Sequence, residues 1–239
     1  MTKKGFERFL SSVSLLTVNQ GIMNQIVYVN GDGAYLEDEK PLIDYLADQG
    51  FEVMFIPLKE SGPQVSYQEL SAESYCQYID SMLPKEFTTF TMLAISKGCA
   101  WSRIYAAKNT KRVKKLVLIE PTTLTPELLA EFENARGNSF INEFHSNPAE
   151  VTREDNTKTA LDVLVSDHTP YIPRCPTVII WTSRDTQNRP YDNYVLGLKR
   201  KFERYLRSKG VRLSVIHVDG PHYIATEPRY FKLISNALK

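Results

Sequence analysis

Apolar residues in this chain come in two alternating arrangements. Short, nearly unbroken runs are separated by stretches in which apolar positions recur every three or four residues. The runs are Gln25-Ile26-Val27-Tyr28-Val29, Phe51 to Pro57, Phe90 to Ile95, Val113 to Ile119, Thr177 to Trp181 and Leu213 to Val218. Each is rich in β-branched or aromatic residues and ends in turn-forming ones, which predicts buried strands. The intervening stretches predict helices. Lys40 to Gln49 puts Leu42, Ile43, Leu46 and Ala47 on one face before Gly50, and glycine is the usual helix stop. Ser71 to Leu83, Trp101 to Lys108, Asp192 to Ser208 with Val195, Leu198, Phe202 and Tyr205, and a last helix ending near Leu238 have the same period.

Alternating strands and helices imply βαβ units, hence an α/β fold with a mostly parallel sheet and helices on both faces. Ligands of such sheets sit at the carboxyl ends of the strands. One segment breaks the pattern. Residues 122–173 hold helix-like stretches at Pro126 to Ala135, Ser139 to Phe144 and Thr159 to Val165, but no strand. An insertion of that length reads as a small helical lid after the strand ending near Ile119, since long loops in compact domains are usually functional. Its Leu128, Leu129, Phe132, Phe140 and Phe144 suit either an acyl chain or ring in the site or packing of the lid on the sheet. Residues 1–239 then form a single domain. The stretch from Lys3 to Val18 reads as a strand or helix: its apolar run is broken by serines and lacks the cleavage site of a secretory signal.

Composition narrows the partners. The formal net charge is +1 with 24% charged residues, and no basic stripe is interleaved with aromatics, so no nucleic-acid partner is expected. No run approaches the roughly 20 apolar residues of a membrane span. Cys76, Cys99 and Cys175 are an odd number at irregular spacing, which suits neither a disulfide framework nor a zinc site and fits a cytoplasmic protein. No metal and no cofactor is implied.

The chemistry begins at Ser96. In Ala94-Ile95-Ser96-Lys97-Gly98 an apolar strand breaks at a serine flanked by small residues and turns helical, the pattern of a nucleophile elbow, here A-x-S-x-G rather than the commoner G-x-S-x-G. A serine hydroxyl needs a base, and the base needs a group to fix its tautomer. His222 follows the strand Leu213 to Val218 in the turn Asp219-Gly220-Pro221-His222, whereas His217 lies within that strand and His145 and His168 fall in the lid segment. Carboxylates stand after two strands: Asp185 follows Thr177 to Trp181, and Glu120 ends Val113 to Ile119. Asp219 precedes a glycine and reads as a turn former.

On these residues the chain resembles the α/β-hydrolase superfamily from about Gln25 to the C terminus, as a serine esterase or lipase. The resemblance implies an acyl-enzyme on Ser96, with His222 as base and an acid on the loop after a later strand. That order favours Asp185, with Glu120 at an alternative station. It also implies an oxyanion hole from the backbone of the turn Asn30-Gly31-Asp32-Gly33, through Asp32 and Gly33, and from the amide of Lys97. The family's His-Gly before that turn is Asn30-Gly31 here, and an inward-pointing Asp32 carboxylate would oppose an oxyanion. The expected partner is a small-molecule ester or thioester. Thioesterase or acyltransferase chemistry, a C–C hydrolase or lyase of the same fold, and a non-catalytic binding protein are the alternatives.

Overall fold

The computed structural model describes residues 24–31, 36–58, 71–121, 171–185 and 187–239. The expected element from Lys3 to Val18, the oxyanion positions Asp32 and Gly33, and residues 122–170 of the expected 122–173 lid lie outside the described residues.

Every expected strand forms: β1 Asn24–Val29, β2 Phe51–Ile56, β3 Phe90–Ile95, β4 Val113–Ile119, β5 Thr177–Thr182 and β6 Leu213–Val218. They make one sheet in the order β2-β1-β3-β4-β5-β6, with every pairing parallel. The helices are α1 Leu36–Asp48, α2 Ala72–Met82, α3 Lys97–Lys108, α4 Asn193–Ser208 and α5 Phe231–Leu238. No described helix is long and apolar enough to cross a membrane.

The strands read as unbroken apolar runs because both sheet faces are covered, as parallel sheets require. Val27, Val29, Met92, Ala94, Leu116, Leu118, Ile179 and Trp181 pack with Tyr75 and Ile79 of α2, Trp101 and Ile104 of α3, and Leu198, Phe202 and Leu206 of α4. Their alternates Ile26, Tyr28, Leu93, Ile95, Val117, Ile119, Val178 and Ile180 pack with Leu42 and Leu46 of α1 and Phe231, Ile234 and Leu238 of α5. All three cysteines are buried and free.

The α3 helix begins at Lys97, directly after Ser96, as the break at the serine predicts. Residues 97 to 106 are all buried, so this helix has no polar face and no amphipathic signal at its start. The α1 helix is described from Leu36, so Glu37, Asp38 and Glu39 extend it ahead of the periodic stretch Lys40 to Gln49. Glu39 is nonetheless buried, and its Oε2 accepts a 2.5 Å hydrogen bond from the Tyr28 hydroxyl.

Chain order reverses at β1, which has β2 on one side and β3 on the other. Such a switch point leaves a crevice at the strand carboxyl ends. The exits of β1 and β3 are there.

Candidate active site

Register sets the frame. Ile95 pairs with Ile119, and Ile119 with Ile180, so Ser96 and Glu120 are next to each other at adjacent strand ends. The Ser96 amide donates to Ile119 O at 2.9 Å and the Glu120 amide to Ile180 O at 2.9 Å. Both residues then leave the strand in the left-handed region, Ser96 at φ 50° and Glu120 at φ 47°. Such conformations cost of order 1–3 kcal/mol and cluster at functional sites. At Ser96, with ψ −122°, the backbone reverses from strand into α3.

Gly98 explains the small residue two positions after the serine. A Cβ there would lie 2.2 Å from Asn30 O and 2.9 Å from Val29 O, so only glycine lets α3 pass the end of β1. Gly31 makes a second close approach. Its Cβ would lie 3.2 Å from Ser96 Cβ and 3.0 Å from Tyr223 Cε1, which brings the exits of β1, β3 and β6 together beside the serine. Asn30 is buried, and its Oδ1 accepts from the Leu58 amide at 2.9 Å, tying the β1 exit to the chain beyond β2. The Lys97 amide is the first of α3, directly after Ser96.

His222 is on the β6 exit, its side chain 17% exposed. That exit is tied to the one after β5. Ser183 Oγ donates to Asp219 Oδ1 at 2.5 Å, Arg184 pairs with Asp219 Oδ2 at 3.1 Å, and the Gly220 amide donates to Ser183 Oγ at 3.2 Å. Tyr230 Oη also donates to Asp219 O at 2.5 Å.

The two candidate acids have different surroundings. Asp185 accepts from the amides of Gln187 and Arg189, both at 2.9 Å, and pairs with Arg189 Nε at 3.1 Å. These bonds hold its carboxyl below the usual range despite the opposing effect of desolvation. Among the described residues these partners, Gln187 and Arg189, belong to its own loop. Glu120 is 4% exposed, and its Oε2 is 3.7 Å from His222 Nδ1. Of the two carboxylates it is the one that the structure brings to His222.

Two side chains that the sequence did not single out complete the surroundings of Glu120. Lys199 on α4 is buried, with Nζ 2.8 Å from Glu120 Oε1 and 3.0 Å from Thr182 O. Glu120 Oε1 also accepts from the Thr182 amide. The Tyr191 hydroxyl donates to Glu120 Oε2 at 3.0 Å and is 3.3 Å from His222 Nδ1. Burial alone would raise the Glu120 pKa, but the contact with His222, the Lys199 charge and these hydrogen bonds hold it below the ordinary value. Burial lowers the Lys199 pKa against the pull of Glu120. A signal for Lys199 exists in the sequence: it interrupts the apolar face running through Val195, Phe202 and Leu206, and a cation on a buried face implies a buried anion.

No protein-family model matches the sequence, and no curated protein matches it. Solved structures do match. The monoacylglycerol lipase of Paleococcus ferrophilus aligns over 90% of this chain and 91% of its own, at TM-score 0.57 and 17% identity. The enol-lactonase of Burkholderia xenovorans aligns over 92% and 93%, at TM-score 0.59 and 15% identity. The thioesterase domain from the curacin biosynthetic pathway aligns over 91% of each chain, at TM-score 0.58 and 12% identity. Similarity of this extent at such low identity is a statement about architecture: the chain has the α/β-hydrolase fold.

Proposed function

We propose that this protein is a serine hydrolase that cleaves a small carboxylic ester or thioester, with Ser96 as nucleophile, His222 as base and Glu120 as the acid that orients it. The observation that carries the reading is the left-handed Ser96 at the switch point of the sheet, beside a strand end whose buried Glu120 faces His222. Asp185, the acid that chain order favours, takes a loop-building role in this reading because its carboxylate is engaged by residues 187 and 189. The lipase, lactonase and thioesterase named above all break an acyl bond, which supports the same class of substrate.

The steps follow from the groups present. His222 Nε2 takes the Ser96 hydroxyl proton as Oγ adds to the acyl carbon, and Glu120 stabilises the imidazolium through the Nδ1 side. The carbonyl oxygen becomes an alkoxide, held by the Lys97 amide and an amide of the turn Gly31-Asp32-Gly33. Loss of one such donor typically costs about 2.7–4 kcal/mol in the barrier. The intermediate expels the alcohol or thiol with the proton from His222, and water then repeats the sequence on the acyl-enzyme.

A fluorophosphonate probe tests the assignment without knowledge of the natural substrate. The wild-type protein is expected to be labelled on Ser96 and Ser96→Ala to be inert. Unlabelled wild type, or labelling that survives the substitution, overturns the reading.

A further inference from the structure

We propose that Tyr191 is a positioning residue whose hydroxyl bridges His222 to Glu120, so that a phenol, itself donating to the carboxylate, holds the histidine's Nδ1–H. This rests on the reading of Ser96 and His222 as nucleophile and base.

The distances order the three groups. His222 Nδ1 is 3.3 Å from the Tyr191 hydroxyl, the hydroxyl is 3.0 Å from Glu120 Oε2, and Nδ1 is 3.7 Å from that oxygen. The last separation lies beyond hydrogen-bond range, so the phenol is the nearer partner of His222. The carboxylate is not free to swing closer, because its other oxygen is held by the Thr182 amide and by Lys199. The phenol ring is clamped as well: the Lys199 ammonium is 3.8 Å from its centroid.

Donor and acceptor logic then fixes the histidine tautomer. A tyrosine hydroxyl has one proton, and an ionised carboxylate only accepts. The proton therefore points at Glu120, and the phenol presents a lone pair to Nδ1. Nδ1 must carry the hydrogen, which leaves Nε2 bare for the serine proton. Burial, and then the Glu120 charge, push the phenol pKa well up, so the bridge keeps its proton near neutral pH.

The loop after β5 is built to deliver this ring. The Tyr191 amide donates to Ser183 O at 3.0 Å, and Arg184 and Pro190 face each other as an antiparallel bridge. Asp185 closes the loop tip by accepting from residues 187 and 189. At the station where sequence order expects the acid itself, this chain supplies a hydroxyl that reaches the acid of the neighbouring strand.

The test compares full-length wild type, Tyr191→Phe and Ser96→Ala by fluorophosphonate labelling rate over a pH series from about 5 to 8. Loss of a hydrogen bond to a charged group should slow labelling of Tyr191→Phe roughly ten- to hundred-fold. Its acid limb should move to lower pH, because the imidazolium has lost its acceptor. A ring that only packs would move neither. Unchanged rates and profile overturn the proposal, as does a limb that moves to higher pH with the rate retained, which would mean direct His222–Glu120 pairing. Nitrogen-15 NMR of His222 in the unaltered protein gives a second readout that needs no variant: Nδ1 protonated and Nε2 bare at neutral pH, with the opposite tautomer refuting the bridge. Wild type that is never labelled, or a labelled Ser96→Ala, removes the hydrolase reading; an inert Ser96→Ala beside an unaffected Tyr191→Phe removes the bridge alone.

Discussion

Replacing Lys199 by methionine leaves the Glu120 carboxylate buried without its cation. The pair is closed to solvent, with side chains 5% and 4% exposed and Nζ to Oε1 at 2.8 Å, so neither charge has water to fall back on. Removing one partner of such a pair typically destabilises by about 3–5 kcal/mol. Methionine also leaves Thr182 O without the Lys199 donor. For a domain of this size each kcal/mol moves the melting temperature by about 2–4 °C, so Lys199→Met should melt roughly 6–20 °C below wild type near pH 7.

The pH dependence separates this cause from a general loss of packing. In the wild type the folded Glu120 pKa is depressed. Its contribution is therefore present above the unfolded value of about 4.3 and is lost as pH falls through the lower folded value. Without the ammonium, burial dominates and the folded pKa rises. The variant then regains stability on acidification, because Glu120 takes up a proton and its uncompensated charge disappears. The gap between wild type and variant should narrow steadily from neutral pH toward about pH 5. Glu120→Gln combined with Lys199→Met removes both charges and should be more stable than Lys199→Met alone. Thermal melts of the three proteins at several pH values make the measurement. A Lys199→Met protein that melts with wild type at neutral pH, or a gap that does not change with pH, refutes the argument.

Two further outcomes are expected. Glu120→Gln should slow fluorophosphonate labelling far more than Asp185→Asn, and the reverse ranking would return the acid to the β5 exit. Glu39→Gln should change the slope of stability with pH. Glu39 is buried, its Oε1 has no hydrogen-bond partner among the described residues, and desolvation, against the lowering effect of the Tyr28 hydrogen bond, raises its pKa to about 7. The folded protein keeps that proton while the unfolded chain has released it, so the wild type loses stability as pH rises from about 4.3 to 7. The glutamine variant lacks this slope and should gain about 3 kcal/mol relative to wild type across that window, read from denaturant midpoints; a pH-independent difference would count against it.

The fold was legible because a parallel sheet covered on both faces leaves the plainest mark that a strand can make, an unbroken apolar run ending in turn residues. Each such run in the described chain is a strand. The elbow was legible for a different reason. Gly98 is demanded by a backbone oxygen 2.2 Å from where its Cβ would be, and steric demands of this kind fall on particular residues at fixed spacing. What periodicity passed over is the first turn of α1, where Glu37, Asp38 and Glu39 carry no apolar contrast.

The choice between the two acids is the sharper case. Asp185 and Glu120 look alike in sequence, each a carboxylate just past an apolar strand, and chain order ranks Asp185 first. Their difference lies in what each carboxylate already holds. Asp185 meets amides two and four residues away, a local arrangement that asks nothing of the rest of the fold. Glu120 meets an ammonium 79 residues later in the chain and a phenol 71 residues later. Burying a carboxylate is tolerable only when such partners converge on it, and convergence is a property of packing that no spacing rule encodes. The one trace left in the sequence is Lys199, a cation on the apolar face of α4, which makes sense only if a buried anion waits across the interface.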